Sequence, residues 1–306
     1  MIDSVFSYDR LALFGFGLFE TLLISEAGPL FIDRHWKRMN KGANLLGLDL
    51  PGSDEWRNQV QNFIVESPSP SSYPYALRVT LSGGAPLSHL PCQMLFHKRA
   101  FPYTVAQYTL GIRLHLLPSQ RNEQSPLVSI KSTNYMENIL AKEEAKRKGA
   151  EEGLWLNTKE ILCEGTMSNL FFIKDGTLFT PSLQCGCLPG TRRELILDLA
   201  RSLQIPTYEG MYPFSSLLGA NEIFMTNALM GIMPVRQVDD TYFPIAPLGT
   251  KKSGMRKLEI AFNSLASKEA TSCPRMMTRD CPYIKTDGYH TAWSRQLYFS
   301  RVFIYS

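Results

Sequence analysis

Apolar and polar positions along this chain fall into short strand-like and helix-like stretches without a regular alternation of the two. Phe14–Ile24 (FGFGLFETLLI) follows a glycine-rich start with β-favouring residues and predicts a strand. Asp33 is placed to cap a helix running to about Leu46, with Pro51 after its end. A second helix is predicted over Asp54–Val65, and SPSPSSYP (67–74) reads as a polar loop. Tyr75–Leu81 and Thr109–Leu117 read as strands. In the second, Ile112, Leu114 and Leu116 alternate with Arg113 and His115. The polar run PSQRNEQSP (118–126), with proline at both ends, is the linker candidate.

Beyond it, Tyr135–Lys148 predicts a helix closed by Gly149. Gly153–Asn157 and Asn169–Lys174 read as strands, and Asp175-Gly176 as a hairpin turn into Thr177–Thr180. Thr191–Leu203 is an amphipathic helix, Glu222–Thr226 a short strand, and Leu248–Ser267 a last helix. The mixture points to an α+β fold rather than a doubly wound one. The expected organisation is a smaller α+β domain over 1–120, a larger one over 127–270 and an atypical tail over 271–306.

Composition narrows the class. At 306 residues, 44% hydrophobic and 20% charged, the chain can bury a full core. A net charge of +4 is too small to argue for nucleic acid. The N-terminus does not read as a signal peptide, and no apolar run approaches the roughly 20 residues that span a bilayer. The six cysteines fit no zinc spacing, so no metal site is expected and reduced thiols in the cytoplasm are. The tail carries five basic residues against two acidic ones and many aromatics, with no structure derivable from it.

Two segments carry candidate chemistry. Lys131 lies in PLVSIKSTNYMEN, after apolar residues and before a helix start. A lysine there is ordinarily a solvated or snorkelling side chain, but partial burial lowers its pKa and makes it a nucleophile toward aldehydes. In LPGTRR, Gly190 precedes a helix with Thr191 and Arg192 in its first turn. Free N–H groups and the helix dipole make that a phosphate seat, although an ordinary helix start has the same look.

Six segments in order resemble the class IV aminotransferases. They are GFGLFETL (15–22), HWKR (35–38), KSTNYMENILAKEEAKRKGAEEGLWLN (131–157), EGTMSNLFFI (164–173), TPSLQCGCLPGTRR (180–193) and NEIFMTNALMGIMPV (221–235). The resemblance implies the two-domain fold typified by D-amino acid aminotransferase, with pyridoxal 5′-phosphate (PLP) between the domains. It implies that Lys131 bonds the cofactor aldehyde and moves protons at the substrate carbon. Glu164 would pair with the pyridine nitrogen. Arg38, of the H-x-x-R pattern with His35, would grip the phosphate. Leu188 would lie against the ring, Thr191 and Arg192 would seat the phosphate, and Asn227 and Ala228 would form a second phosphate loop. Tyr135 would reach the phenolic oxygen. A homodimer acting on a small molecule is also implied, without nucleic acid or membrane. The chain departs from the family at Phe16, where aspartate is common, at Ala228, where threonine is common, in a short N-terminal strand, and in the tail. All matched cofactor positions precede residue 240, so the tail is expected to be dispensable for cofactor binding.

The cofactor apparatus is shared across the family and cannot choose the reaction. The turn TNALMGIMPV and the segment GLFETLL look more like 4-amino-4-deoxychorismate lyases than like branched-chain enzymes. The expected reaction is therefore release of pyruvate to give 4-aminobenzoate, in folate precursor synthesis. The alternatives are transamination of branched-chain or D-amino acids, and a catalytically silent binding or assembly protein.

Overall fold

The computed structural model describes residues 8–67, 73–85, 89–247, 250 and 253–271. The N-terminal unit is a four-stranded antiparallel sheet in the order β2-β1-β3-β4, from β1 (Gly17–Ser25), β2 (Gly28–Pro29), β3 (Tyr75–Ser82) and β4 (Met94–Ala100). β1 and β3 pair along their length, from Gly17↔Ser82 to Ile24↔Tyr75. Side chains alternate across such a ladder. Leu18, Leu22, Leu77, Val79 and Leu81 pack with Met39 and Ala43 of α2 (Ile32–Leu46) and with Trp56, Val60 and Ile64 of α3 (Ser53–Glu66). Phe19, Thr21, Ala76 and Arg78, on the other face, line a cleft.

The second unit is a nine-stranded sheet that closes on itself. It uses β5 (Ile112–Leu116), β6 (Glu152–Leu156), β7 (Leu162–Gly165), β8 (Asn169–Lys174), β9 (Thr177–Pro181), β10 (Thr207–Gly210), β11 (Glu222–Asn227), β12 (Gly231–Val238) and β13 (Thr241–Tyr242). The order β8-β11-β12-β5-β6-β7 returns to β8 through Glu164↔Asn169, giving a six-stranded barrel. Leu114, Leu154, Leu162, Leu170, Phe172, Met225 and Met233 fill it. Outside, α6 (Thr191–Ser202) and α7 (Gly254–Thr271) cover Phe171, Ile173, Phe224 and Ile232. The expectation of an α+β fold is met. The Asp175-Gly176 turn is also as read, with both residues at positive φ between β8 and β9.

Several expectations need correction. The first strand begins at Gly17, because Asp9 caps a short helix α1 (Arg10–Phe14) that Gly15 ends in left-handed geometry. Asp33 does not cap α2. Phe31 holds that position, and Asp33 pairs with Arg57 at 2.6 Å. Thr109–Leu110 ends a helix, α4 (Val105–Leu110), started by a Thr104/Gln107 capping box. The division between the sheets falls between β4 and β5, ahead of the 118–126 run. Most of that run is exposed, but Arg121 in it is buried and bridges to Asn157. The last helix starts at Gly254 rather than Leu248. Most of the 67–74 loop and nearly all of the tail lie outside the described residues.

Candidate active site

Between the two sheets lies a cavity of about 1030 Å³. Arg38, Lys131, Tyr135, Glu164, Leu188, Thr191, Arg192, Asn227 and Ala228, which come from both halves of the sequence, all line it.

The backbone of Lys131 is pinned to the sheet edge. Its carbonyl accepts from Phe19 N at 2.9 Å, and Thr133 N donates to Gly17 O at 2.9 Å. The amine lies 4.4 Å from the Phe19 ring centroid and 5.5 Å from that of Tyr135. Burial, and then the Arg38 charge, push its pKa down to about 8, against the opposing pull of Glu20 and Glu164. At pH 7 about a tenth of the amine is then neutral and nucleophilic, far more than for a solvated lysine.

Glu164 leaves the end of β7 into the cleft at 4% exposure. One oxygen accepts from Leu188 N at 2.9 Å and Asn169 Nδ2 at 3.4 Å. The other faces Arg121 Nη2 at 3.6 Å. Burial dominates and raises its pKa to about 7, although Arg121, the Leu188 N–H and Lys131 oppose it. Arg121 itself lies over the Trp155 ring at 4.8 Å and donates to Glu137 at 2.5 Å. Sequence reasoning missed Arg121 because its polar neighbours disguised it. Its partners come from α5 (Met136–Arg147), β6 and β7, and no local pattern announces them.

The opposite end of the cleft is rich in donors. α6 starts at Gly190 with no side chain capping its first turn. A Cβ on Gly190 would stand 2.0 Å from Asn169 Oδ1, so only glycine lets the helix end approach this closely. Thr191 Oγ1, Arg192 Nε and Nη1, and Thr226 Oγ1 are buried without partners. Arg192, at 1% exposure, is held by Ala228 O at 3.1 Å and by the Phe31 ring at 4.4 Å. Burial, then Arg34 and Arg38, depress its pKa to about 9. An unpaired buried cation costs several kcal/mol. These donors fit an anion with several acceptor oxygens, seated on a helix N-terminus.

Two of the expected residues have side chains already bonded within the protein. The Asn227 side chain is committed to its turn, accepting from Leu229 N and Met230 N and donating to Tyr103 and Met167 O. Only its backbone is left for the cleft. The Tyr135 hydroxyl donates to Thr166 O at 3.2 Å. Two further cations on the sheet wall, Arg78 and Arg99, went unnoticed in the sequence.

The amino-transferase class IV family model matches residues 17–238. The chain belongs to that family. It is 26% identical over 249 residues to the aminodeoxychorismate lyase of Bacillus subtilis, covering 79% of this chain and 84% of the relative. Over 106 residues, 35% of this chain and 34% of the relative, it is 42% identical to the branched-chain-amino-acid aminotransferase of Escherichia coli. Among solved structures, the 4-amino-4-deoxychorismate lyase of Pseudomonas aeruginosa superposes with a TM-score of 0.74 at 27% identity, over 84% of this chain and 93% of that one. The class IV resemblance read from six segments is therefore the family of the chain, and its matched span encloses all nine expected site residues.

Proposed function

We propose that this class IV enzyme binds PLP in the cleft and acts as an aminodeoxychorismate lyase. The observation that carries the cofactor reading is that three unlike groups line one cavity. They are an amine of depressed pKa at Lys131, a buried carboxyl at Glu164, and buried, partnerless donors at Thr191 and Arg192. PLP presents an aldehyde, a ring nitrogen and a phosphate, in that order of need. Lys131 would hold the aldehyde carbon. Glu164, kept in place by Arg121 and Leu188 N, would share a proton with the ring nitrogen. The α6 start, Arg192 and Arg38 would hold the phosphate. Leu188 would support the ring face.

Bound there, PLP supplies a conjugated ring that takes up the electron pair left when a proton departs from the carbon bearing the substrate amine. Lys131, whose side chain lines the cleft, would accept that proton. In 4-amino-4-deoxychorismate, loss of this proton permits the neighbouring carbon–oxygen bond to break. The departing enolpyruvyl methylene takes a proton and leaves as pyruvate, and the remaining ring is 4-aminobenzoate. The reaction consumes no keto acid and no net proton.

The lyase reading rests on similarity along most of the chain to lyases from two bacteria. Transamination is the second reading, favoured by the 42% local identity to a branched-chain aminotransferase. A product assay separates them. With aminodeoxychorismate and no keto acid, 4-aminobenzoate and pyruvate are expected. Absence of both products, with amino transfer from a branched-chain amino acid to a keto acid, would reverse the order. A protein that traps no PLP under borohydride would favour the silent alternative.

A homodimer is part of the same proposal, supported by an exposed apolar stripe on α5 made by Met136, Ile139 and Leu140. So is a cytoplasmic location. The four described cysteines are unpaired, and no described helix is long and apolar enough to cross a membrane.

A further inference from the structure

Glu20 does not itself line the cleft, yet it is bonded to two side chains of α2, one of which does. It sits on the α2 side of β1, at 0% exposure, while its neighbours Phe19 and Thr21 face the cleft. Oε1 accepts from Arg38 Nε at 2.7 Å. Oε2 accepts from Arg38 Nη2 at 2.6 Å and meets His35 Nδ1 at 2.6 Å. Arg38 Nη1 donates to Pro189 O at 3.2 Å, one residue before the Gly190 cap of α6. A guanidinium has five N–H groups. Three are engaged, so two remain, one on each terminal nitrogen, and the side chain lines the cleft.

Burial favours neutral imidazole at His35, and its Nε2 is buried without a partner. The ring then donates its Nδ1 proton to Glu20. Glu20 therefore receives three N–H donors, and every one is charge-assisted by its own ionised state. Burial alone would raise Glu20, but Arg38 and His35 outweigh it and hold its pKa at about 2.

We propose that Glu20 is a positioning residue that sets the plane of the Arg38 guanidinium, so that its two remaining N–H groups meet the cofactor phosphate beside the α6 N-terminus. His35 completes the clamp from the far side. This rests on the PLP reading above. A glutamine at position 20 would set an NH₂ against donors on Arg38 or His35. The guanidinium plane would turn, although the arginine and its charge remain.

The test compares PLP with pyridoxal, which has the ring and aldehyde but lacks the phosphate. Both are titrated by equilibrium dialysis into the full chain freed of bound ligand. Glu20→Gln is expected to raise the Kd for PLP at least about tenfold and the Kd for pyridoxal less than about threefold, since only the phosphate contacts pass through Arg38. Arg38→Lys cannot form the two-pronged pair. In that background, Glu20→Gln is expected to add less than about threefold, the signature of two residues acting as one unit. An unchanged or tighter PLP Kd overturns the proposal. So does an equal loss for both ligands, or full additivity in the cycle, since either would mark a general effect on the fold. If Glu20→Gln does not fold, Glu20→Asp keeps the buried charge, shortens the reach and is judged by the same criteria. A wild-type chain that binds pyridoxal as well as PLP would refute Arg38 as a phosphate ligand. One that binds neither would refute the proposed function, and this inference with it.

Discussion

Burial lifts the Glu164 carboxyl from its ordinary pKa of 4.5 to about 7. The folded chain then holds a proton that the unfolded chain releases, so stability falls as pH rises from about 4.5 through 7. Above that range the ionised carboxylate costs folding up to about 3 kcal/mol. The cofactor-free Glu164→Gln protein should therefore melt higher than wild type at pH 8 and at the same temperature at pH 5. Calorimetry at the two pH values checks this, and no gain at pH 8 would mean that Arg121 already compensates the charge. The same substitution should lower turnover steeply while PLP stays bound, because an amide no longer favours a protonated ring nitrogen. Lys131→Ala should abolish turnover and borohydride trapping, yet retain some PLP affinity through Arg38 and the α6 start. Lys131 and Glu164 could be singled out as candidates because each sits in a segment that resembles the family. Arg121 lies in no such segment, and Glu20, although inside GFGLFETL, is defined by partners many residues away, as Arg121 is: Arg38 and His35 for Glu20, Glu164 and Glu137 for Arg121.

At the scale of elements, the N-terminus of α6 shows how much one missing side chain can carry. Gly190 brings the first turn against Asn169, whose Nδ2 in turn bonds Leu188 O at 2.9 Å and Glu164 at 3.4 Å. The ends of the cleft proposed to hold the phosphate and the ring nitrogen are thus tied through one asparagine. Gly190→Ala would force its methyl into that amide, and either Asn169 or the helix start must shift. PLP affinity should fall at least about tenfold, the loss of one or two anion contacts. Dialysis of the purified variant checks it, and an unchanged Kd would show that the helix end is not the phosphate seat. The elements read well were α3 and α6, and β8, a continuous apolar run before its turn into β9. The short ones were not. α1 has five residues and α4 six, too few for helical periodicity to show. Thr109 and Leu110 are β-compatible residues placed in a helix by the Thr104 cap.

For the molecule as a whole, barrel closure is the feature least visible in the sequence. It depends on the pairing of β7 with β8, for which Glu164↔Asn169 is the register. That closure puts Glu164 at the barrel mouth, facing Lys131 across the cleft. The same geometry bears on assembly. One side of α5 lends Asn138 and Lys142 to the cleft. Met136 at 64%, Ile139 at 48% and Leu140 at 62% exposure, spaced i, i+3, i+4, form an apolar stripe that adjoins the cleft at Ile139, which also lines it. Apolar side chains so arranged are stabilised by a partner, and in a two-fold dimer the same stripe on a second copy supplies one. Leu140→Glu would set a charge in the centre of that stripe, and a repeated contact places it twice in the interface. The variant should sediment as a monomer at concentrations where wild type is a dimer. Its PLP should remain bound, since none of the nine cleft residues is altered, while its apparent substrate affinity should weaken because α5 forms the cleft rim. A Leu140→Glu protein that is still dimeric would move the interface elsewhere. A wild-type chain that is monomeric and fully active at all concentrations would remove the dimer from the proposal.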